Sequence, residues 1–288
     1  MKIYNFLFSS LFIFTNVFSE KIKPEWGGSA DVFLSNSNTF QYSKISNLIV
    51  FGDSHSQVGT NFKDMTYTGK NQSGGKNWPL YLMKLNNMKL WNYGVSRSVI
   101  EENVKGRPSF KSQYNLFIKN MSKGKPFSNK WNSKNSLFAI FMGFNDIFSK
   151  EKNIDLIINK YYNIIGEMYN AGARNILIFK SIPLCKACKV DKDTLSSFEK
   201  FNDLIEKKGI EFFEKHPDSN IIIYDAAEFC EDISNNCSHY GFKNCDSRWT
   251  WNQKDKMKYY FWKNSHMTSL GNKHLANNIN EILNLIEN

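Results

Sequence analysis

Five short apolar runs, each closed by glycine, proline or polar residues, alternate with longer segments of helical spacing. The runs are 47–51, 90–93, 137–142, 175–179 and 220–224. Each is too short for a buried helix and rich in β-branched or aromatic residues, so each reads as a strand. They are apolar throughout rather than at every second position, the pattern of strands buried on both faces. Between them, Trp78-Pro79-Leu80-Tyr81-Leu82-Met83 opens a helix with proline in its first turn. Helical spacing also runs over 154–170, ending at Ala171-Gly172-Ala173, and over 194–215 and 271–287. A strand–helix alternation repeated in this way predicts an α/β chain: a three-layer α/β/α sandwich around a central parallel sheet of about five strands.

The 288 residues suit one large domain, with no internal repeat or clear linker. Met1-Lys2 followed by a mostly apolar stretch to Phe18 reads as a signal peptide, cut after Ser19. The stretch is too short and too interrupted by Asn5, Ser9, Ser10 and Asn16 for a stable membrane span. A secreted, extracellular protein is the expectation. Residues 20–45 read as an irregular lead-in, 46–288 as the main domain, and 226–260 as a cysteine-bearing insertion or cap. In an oxidising compartment the five cysteines should pair: Cys185 with Cys188 in a tight loop, and two of Cys230, Cys237 and Cys245 in a second bridge. The net charge of +10 is compatible with an anionic carbohydrate or lipid surface. The lysines are scattered and carry no nucleic-acid-binding motif, so nucleic acid is not expected as a partner. The chain is expected to be monomeric.

Chemistry is concentrated where three apolar runs end in glycine-containing loops. The first is Leu48-Ile49-Val50-Phe51-Gly52-Asp53-Ser54-His55-Ser56, in which Gly52 permits a sharp turn and Ser54 would stand at the carboxyl edge of the sheet. The second is Asn92-Tyr93-Gly94-Val95-Ser96-Arg97-Ser98 and the third Gly143-Phe144-Asn145-Asp146. Acyl transfer needs a nucleophile, a base and donors for a developing oxyanion. Ser54 supplies the first, the amide of Asn145 and backbone N–H groups near Gly94–Arg97 the last. The base should be one of five histidines: His55 adjoins Ser54, His216 and His239 sit in polar loops, His274 lies inside the terminal helix and His266 in the loop before it.

In order and rough spacing, Gly52-Asp53-Ser54, Gly143-Phe144-Asn145-Asp146 and His266 resemble the motifs of the SGNH (GDSL-type) hydrolases over about residues 47–285. Phe51-Gly52-Asp53-Ser54 with Ser73-Gly74-Gly75-Lys76-Asn77-Trp78-Pro79 looks most like the fungal-type GDSL esterases, which include secreted carbohydrate acetylesterases and lipase-like acylhydrolases. The resemblance implies a flavodoxin-like fold, Ser54 as nucleophile, His266 as general base, Asn145 as oxyanion donor, and no metal or organic cofactor. It also implies a backbone donor at a family glycine that falls on Arg97, with Gly94 as a neighbouring alternative. One departure is sharp: the family aspartate three residues before the histidine is Lys263 here. Lysine cannot orient an imidazole or stabilise its charged form. Three outcomes are open: a backbone carbonyl orients His266, another acid such as Asp255 or Asp246 approaches from the cap, or most activity is lost.

The resulting expectation is a secreted serine esterase acting on an acetylated carbohydrate or a lipid acyl ester, free or polymer-linked, through an acyl-Ser54 intermediate. The alternative is a weakened or inactive binding protein on the same fold. The loop at 60–79 leans toward carbohydrate, since flat aromatics such as Trp78 suit sugar faces, although packing is the plainer use of that ring.

Overall fold

The computed structural model describes residues 19–100, 106–148 and 153–287; of the expected signal segment 1–19, all but its last residue, Ser19, lies outside them. The amino-terminal half carries β1 (Ser19–Ile22), β2 (Ala30–Phe33), β3 (Asn47–Gly52), the hairpin β4 (Thr60–Asn61) and β5 (Thr66–Tyr67), α1 (Trp78–Leu85), β6 (Lys89–Asn92), α2 (Phe110–Met121), β7 (Ser136–Phe141) and the short α3 (Phe144–Ile147). It continues with α4 (Ile154–Asn170), β8 (Asn175–Phe179), α5 (Lys192–Lys215), β9 (Asn220–Tyr224), α6 (Ala226–Asn235), β10 (Asn244–Arg248), β11 (Tyr260–Trp262) and α7 (Ser269–Glu287).

The five apolar runs form the parallel part of one sheet, in the order β6-β3-β7-β8-β9. Every residue of β3, β7, β8 and β9 is buried, as strands covered on both faces require. One core layer, including Leu48, Val50, Leu137, Phe179 and Ile279, lies under α1, α6 and α7. The other, including Ile49, Phe51, Phe138, Ile158 and Phe201, lies under α2, α4 and α5.

Residues 20–45 are not an irregular lead-in. β1 and β2 extend the sheet antiparallel past β9, giving seven strands. Ala30, Val32 and Phe33 are buried there, too few apolar positions to stand out in a segment otherwise polar. The segment 226–260 packs through Phe229, Ile233, Tyr240 and Phe242 onto the core layer under α7. Cys237 pairs with Cys245 and Cys185 with Cys188, leaving Cys230 buried and unpaired. Among the described residues no helix is long and apolar enough to cross a membrane.

Strand order reverses between β3 and β7: the chain leaves β3 toward β6 on one side and later returns to β7 on the other. Such a switch point opens a crevice at the carboxyl ends of the strands. The loops carrying Ser54 and Asn145 both leave the sheet there.

Candidate active site

Past β3 the chain folds into a tight turn, the N–H groups of Ser56 and Gln57 both donating to the carbonyl of Asp53 at 3.1 and 3.0 Å. Gly52 is required by space and not by backbone angle. A Cβ there would fall 2.6 Å from Ser56 Oγ and 2.9 Å from the Phe141 carbonyl oxygen. Ser54 sits half-buried at the start of this turn.

His266 arrives from the other end of the chain. The N–H of Lys263 donates to the His266 carbonyl at 2.9 Å, and Trp262 bridges Met267. Residues 263–266 are therefore the tip of a tight turn, clamped at its base. From that tip His266 Nε2 lies 2.7 Å from Ser54 Oγ, across 212 residues of sequence. His266 Nδ1 lies 2.8 Å from Asn264 Oδ1, and that same oxygen accepts the His266 backbone N–H at 2.9 Å. Because a backbone N–H needs an acceptor, the amide oxygen is the atom facing the ring. Nδ1 therefore carries the proton and Nε2 presents its lone pair to the serine hydroxyl.

None of the stand-ins expected for the missing acid holds the imidazole. Asp255 accepts from the Tyr260 hydroxyl at 3.1 Å and the Asn252 amide at 3.2 Å. Asp246 is exposed, on β10. The group that replaces them is the side chain of Asn264, one residue nearer the histidine than the family acid. A neutral amide orients the ring without adding charge. Burial, followed by the charge of His55, pushes the His266 pKa down to about 3; Asp53 acts in the opposite direction, while Lys263 and Arg248 add to the depression.

Asp53 organises the floor of the site. It is 1% exposed; its Oδ1 accepts from the His55 backbone N–H and faces His55 Nδ1, both at 2.9 Å, and its Oδ2 accepts from Asn145 Nδ2 at 3.2 Å. The His55 ring lies 4.8 Å from that of His266. Asn145 also donates to the Ser98 carbonyl at 2.9 Å, so both N–H groups of its amide are engaged. Behind them, the Gln113 side chain accepts from Gly52 N–H and donates to Gly52 O and Ser98 Oγ, tying the first two loops together. Asp146 accepts from Ile100 N–H at 2.8 Å and pins the second loop to the third.

The backbone donors can be sorted by what they already bond. Gly94 N–H is spent on Asn92 Oδ1 at 2.8 Å, which removes it as the alternative oxyanion donor. The N–H groups of Ser54 and Arg97 donate to no protein group among the described residues. Arg97 holds φ +67°, a left-handed conformation in which glycine is at ease and other residues are strained. That explains how an arginine stands where the resemblance places a glycine: the loop keeps its shape and its N–H, and the side chain is carried outward into solvent. Trp78 takes the plainer of the two uses open to it: it is fully buried in the core and donates Nε1–H to Ser56 Oγ at 3.2 Å, so it offers no face to a sugar.

The cavity beside Ser54 and His266, lined also by His55, Asn77, Trp78 and Phe141, measures only about 10 Å³. A far larger concavity of about 670 Å³ lies between α2 and α4 but holds no base beside a nucleophile.

Residues 48–279 match the GDSL-like lipase/acylhydrolase family. The chain belongs to that family. As a member it is a carboxylic ester hydrolase. Among its curated relatives is an acetylesterase of Thermothelomyces thermophilus, 24% identical over 229 residues that span 67% of this chain and 75% of the relative. Another is the thermolabile hemolysin of Vibrio parahaemolyticus serotype O3:K6 (strain RIMD 2210633), 23% identical over 228 residues; the match spans 73% of this acylhydrolase and about half, 52%, of the hemolysin. The fold is shared with a catalytic mutant of Axe2, an acetylxylan esterase from Geobacillus stearothermophilus, at a TM-score of 0.51 and 14% identity, covering 83% of this chain and 94% of that one.

The sequence put the loops of Ser54, Arg97 and Asn145 at one sheet edge and the family resemblance added His266; in the structure His266 Nε2 meets Ser54 Oγ, and Asn145 bonds to Asp53 beside Ser54 and to Ser98 beside Arg97. Sequence reasoning missed Asn264, His55 with Asp53, and Gln113. Asp53 and Asn264 stand next to recognised motif residues, but no spacing rule says which atoms they face. Gln113 lies inside a helix, with no local signal at all.

Proposed function

We propose that this acylhydrolase is a secreted serine esterase that removes small acyl groups, acetyl foremost, from carbohydrate alcohols. The observation that carries the reading is the 2.7 Å contact between Ser54 Oγ and an Nδ1-protonated His266. Ser54 gives its proton to His266 Nε2 while Oγ bonds to the acyl carbon. The carbonyl oxygen becomes an oxyanion, taken up by the N–H groups of Ser54 and Arg97. Asn145 joins them by exchanging its longer bond to Asp53 for one to the oxyanion. His266 then protonates the departing alcohol. Water repeats the sequence on the acyl-serine, releasing acid and free enzyme.

The choice of acetyl is supported by the acetylesterase among the relatives; the enclosed space beside the serine, about 10 Å³, is that of a single water and leaves no chamber for a long acyl chain there. Secretion is supported by the apolar leader and by two disulfides, which belong to an oxidising compartment. Lys263 motivates the second reading, a binding protein without turnover, because a cation near the base disfavours its protonation.

The deciding experiment is hydrolysis of 4-nitrophenyl acetate, with fluorophosphonate labelling in parallel. Wild type should turn over and label, and Ser54→Ala should lose about 10³-fold or more of the rate together with the label. A folded wild type that neither hydrolyses nor labels would remove the esterase reading in favour of the binding one.

A further inference from the structure

The lysine in place of the family acid is not left without a use. Arg248 lies opposite Trp262 in the β10–β11 pair, and Thr250 N–H donates to Lys263 O at 3.0 Å. These contacts bring the backbones of Arg248 and Lys263 together at the edge of the turn that bears His266, and both charges act on that imidazole. The Lys263 stem runs past Gly74 on the facing loop. Arg248 anchors Nε on Cys188 Sγ at 3.1 Å and lies 5.1 Å over the ring of Trp251, leaving its terminal nitrogens to other partners. Among the described residues neither cation has a carboxylate within ion-pair distance. Asp246, two residues before Arg248 on β10, is exposed and forms no ion pair with it, and Asp255 is taken by Tyr260 and Asn252.

Two unpaired cations beside a base that must accept a proton work against catalysis. The fold keeps them there by specific backbone pairing, and both are partly exposed, open to an anion from outside. Trp251, 56% exposed, is the most exposed large apolar side chain described. An open indole beside a guanidinium and an ammonium offers an apolar face for the C–H groups of a pyranose and fixed charge for an acid group on it. The neighbours Thr250, Asn252 and Gln253 are polar, which suits a sugar rim and not an acyl-chain lip.

We propose that Lys263, Arg248 and Trp251 form a subsite for a carboxylate-bearing sugar, so that the favoured substrate is an acetyl ester on an acidic saccharide. The substrate clause rests on the esterase reading; the binding subsite does not. The test uses the Ser54→Ala protein and a matched pair of ligands, a xylo-oligosaccharide with a glucuronic acid branch and the same oligosaccharide without it, read by tryptophan fluorescence and calorimetry. The acidic ligand should bind at least about tenfold more tightly at low salt. That preference should collapse at 1 M salt without any mutation and in Lys263→Gln with Arg248→Gln, while Trp251→Ala should weaken both ligands. Equal affinities, or a preference that survives both salt and the double substitution, overturn the subsite. So does binding to phosphatidylglycerol vesicles with none to either oligosaccharide. Turnover of 4-nitrophenyl acetate by wild type reports on the esterase reading separately: absent turnover with the acidic preference intact removes the esterase and keeps the subsite.

Discussion

Asn264 does by hydrogen bonding what an aspartate would do by hydrogen bonding and charge. Its oxygen fixes the Nδ1–H tautomer of His266, but a neutral amide stabilises the imidazolium of the transition state only through its dipole. Replacing it separates the two contributions. Asn264→Leu should lower kcat at least about tenfold, because the ring loses its orientation while Ser54 is untouched. Asn264→Asp should raise kcat at neutral pH, since the ring is already correctly placed and gains a counter-charge. Steady-state kinetics on 4-nitrophenyl acetate checks both, and an Asn264→Leu protein with unchanged kcat would show that the contact is idle. The depressed pKa of His266 sets a further expectation. With the folded value near 3 and an unfolded value near 6.5, the unfolded chain binds more protons between these limits. The stability contributed by keeping His266 neutral is therefore full above about pH 6.5 and is lost as the pH falls toward 3. The acid limb of kcat/KM should likewise lie well below 6.5, and Lys263→Asp should move it upward by replacing a cation with an anion. A limb at or above 6.5 in wild type, unmoved by the substitution, would contradict the environment described.

At the scale of elements, the site depends on how the 244–268 segment is held. Cys237–Cys245 closes the approach to β10, and Cys188 of the second disulfide receives the Arg248 side chain. A bridge spanning eight residues removes loop-closure freedom worth about 2–3 kcal/mol from the unfolded chain. The double substitution Cys237→Ser, Cys245→Ser should lower unfolding stability by about that amount in urea. It should also raise KM more than it lowers kcat, because β10 and the turn after it present Arg248 and Trp251, while the His266 turn is clamped separately by Trp262 and Met267. Equal loss in both parameters would place the bridge under the base itself.

Over the whole molecule, the parallel sheet sets Ser54 and Asn145 at a switch point, and the two antiparallel strands at its far edge protect β9. Removing residues through Phe33 would expose the Ile221–Tyr224 backbone as an unpaired edge and uncover Val32 and Phe33 contacts. Such an edge templates intermolecular pairing. The shortened chain should aggregate on expression or refolding, seen by light scattering, whereas trimming only before Ser19 should leave the described fold soluble. A soluble, active chain lacking β1 and β2 would return the segment to the status of a lead-in.

The amino-acid sequence by itself determined the five buried strands, because continuous apolar runs bounded by turn residues admit few other uses. It also determined which loops leave one sheet edge, and so set Ser54 beside Asn145, with His266 added by the order and spacing of the family motifs. Tertiary structure decided everything that depends on which atom faces which. It turned 20–33 into an antiparallel edge, since three buried residues suffice when a neighbouring strand supplies the hydrogen bonds. It spent the Gly94 N–H on Asn92 and left that of Arg97 open. It gave the imidazole to Asn264 rather than to either aspartate, because a turn closed between Lys263 and His266 brings that side chain back onto the ring. Hydrophobic pattern is local and survives in one dimension; hydrogen-bond partnership is set by distances of a few tenths of an ångström between segments far apart in the chain, and only the folded chain fixes those.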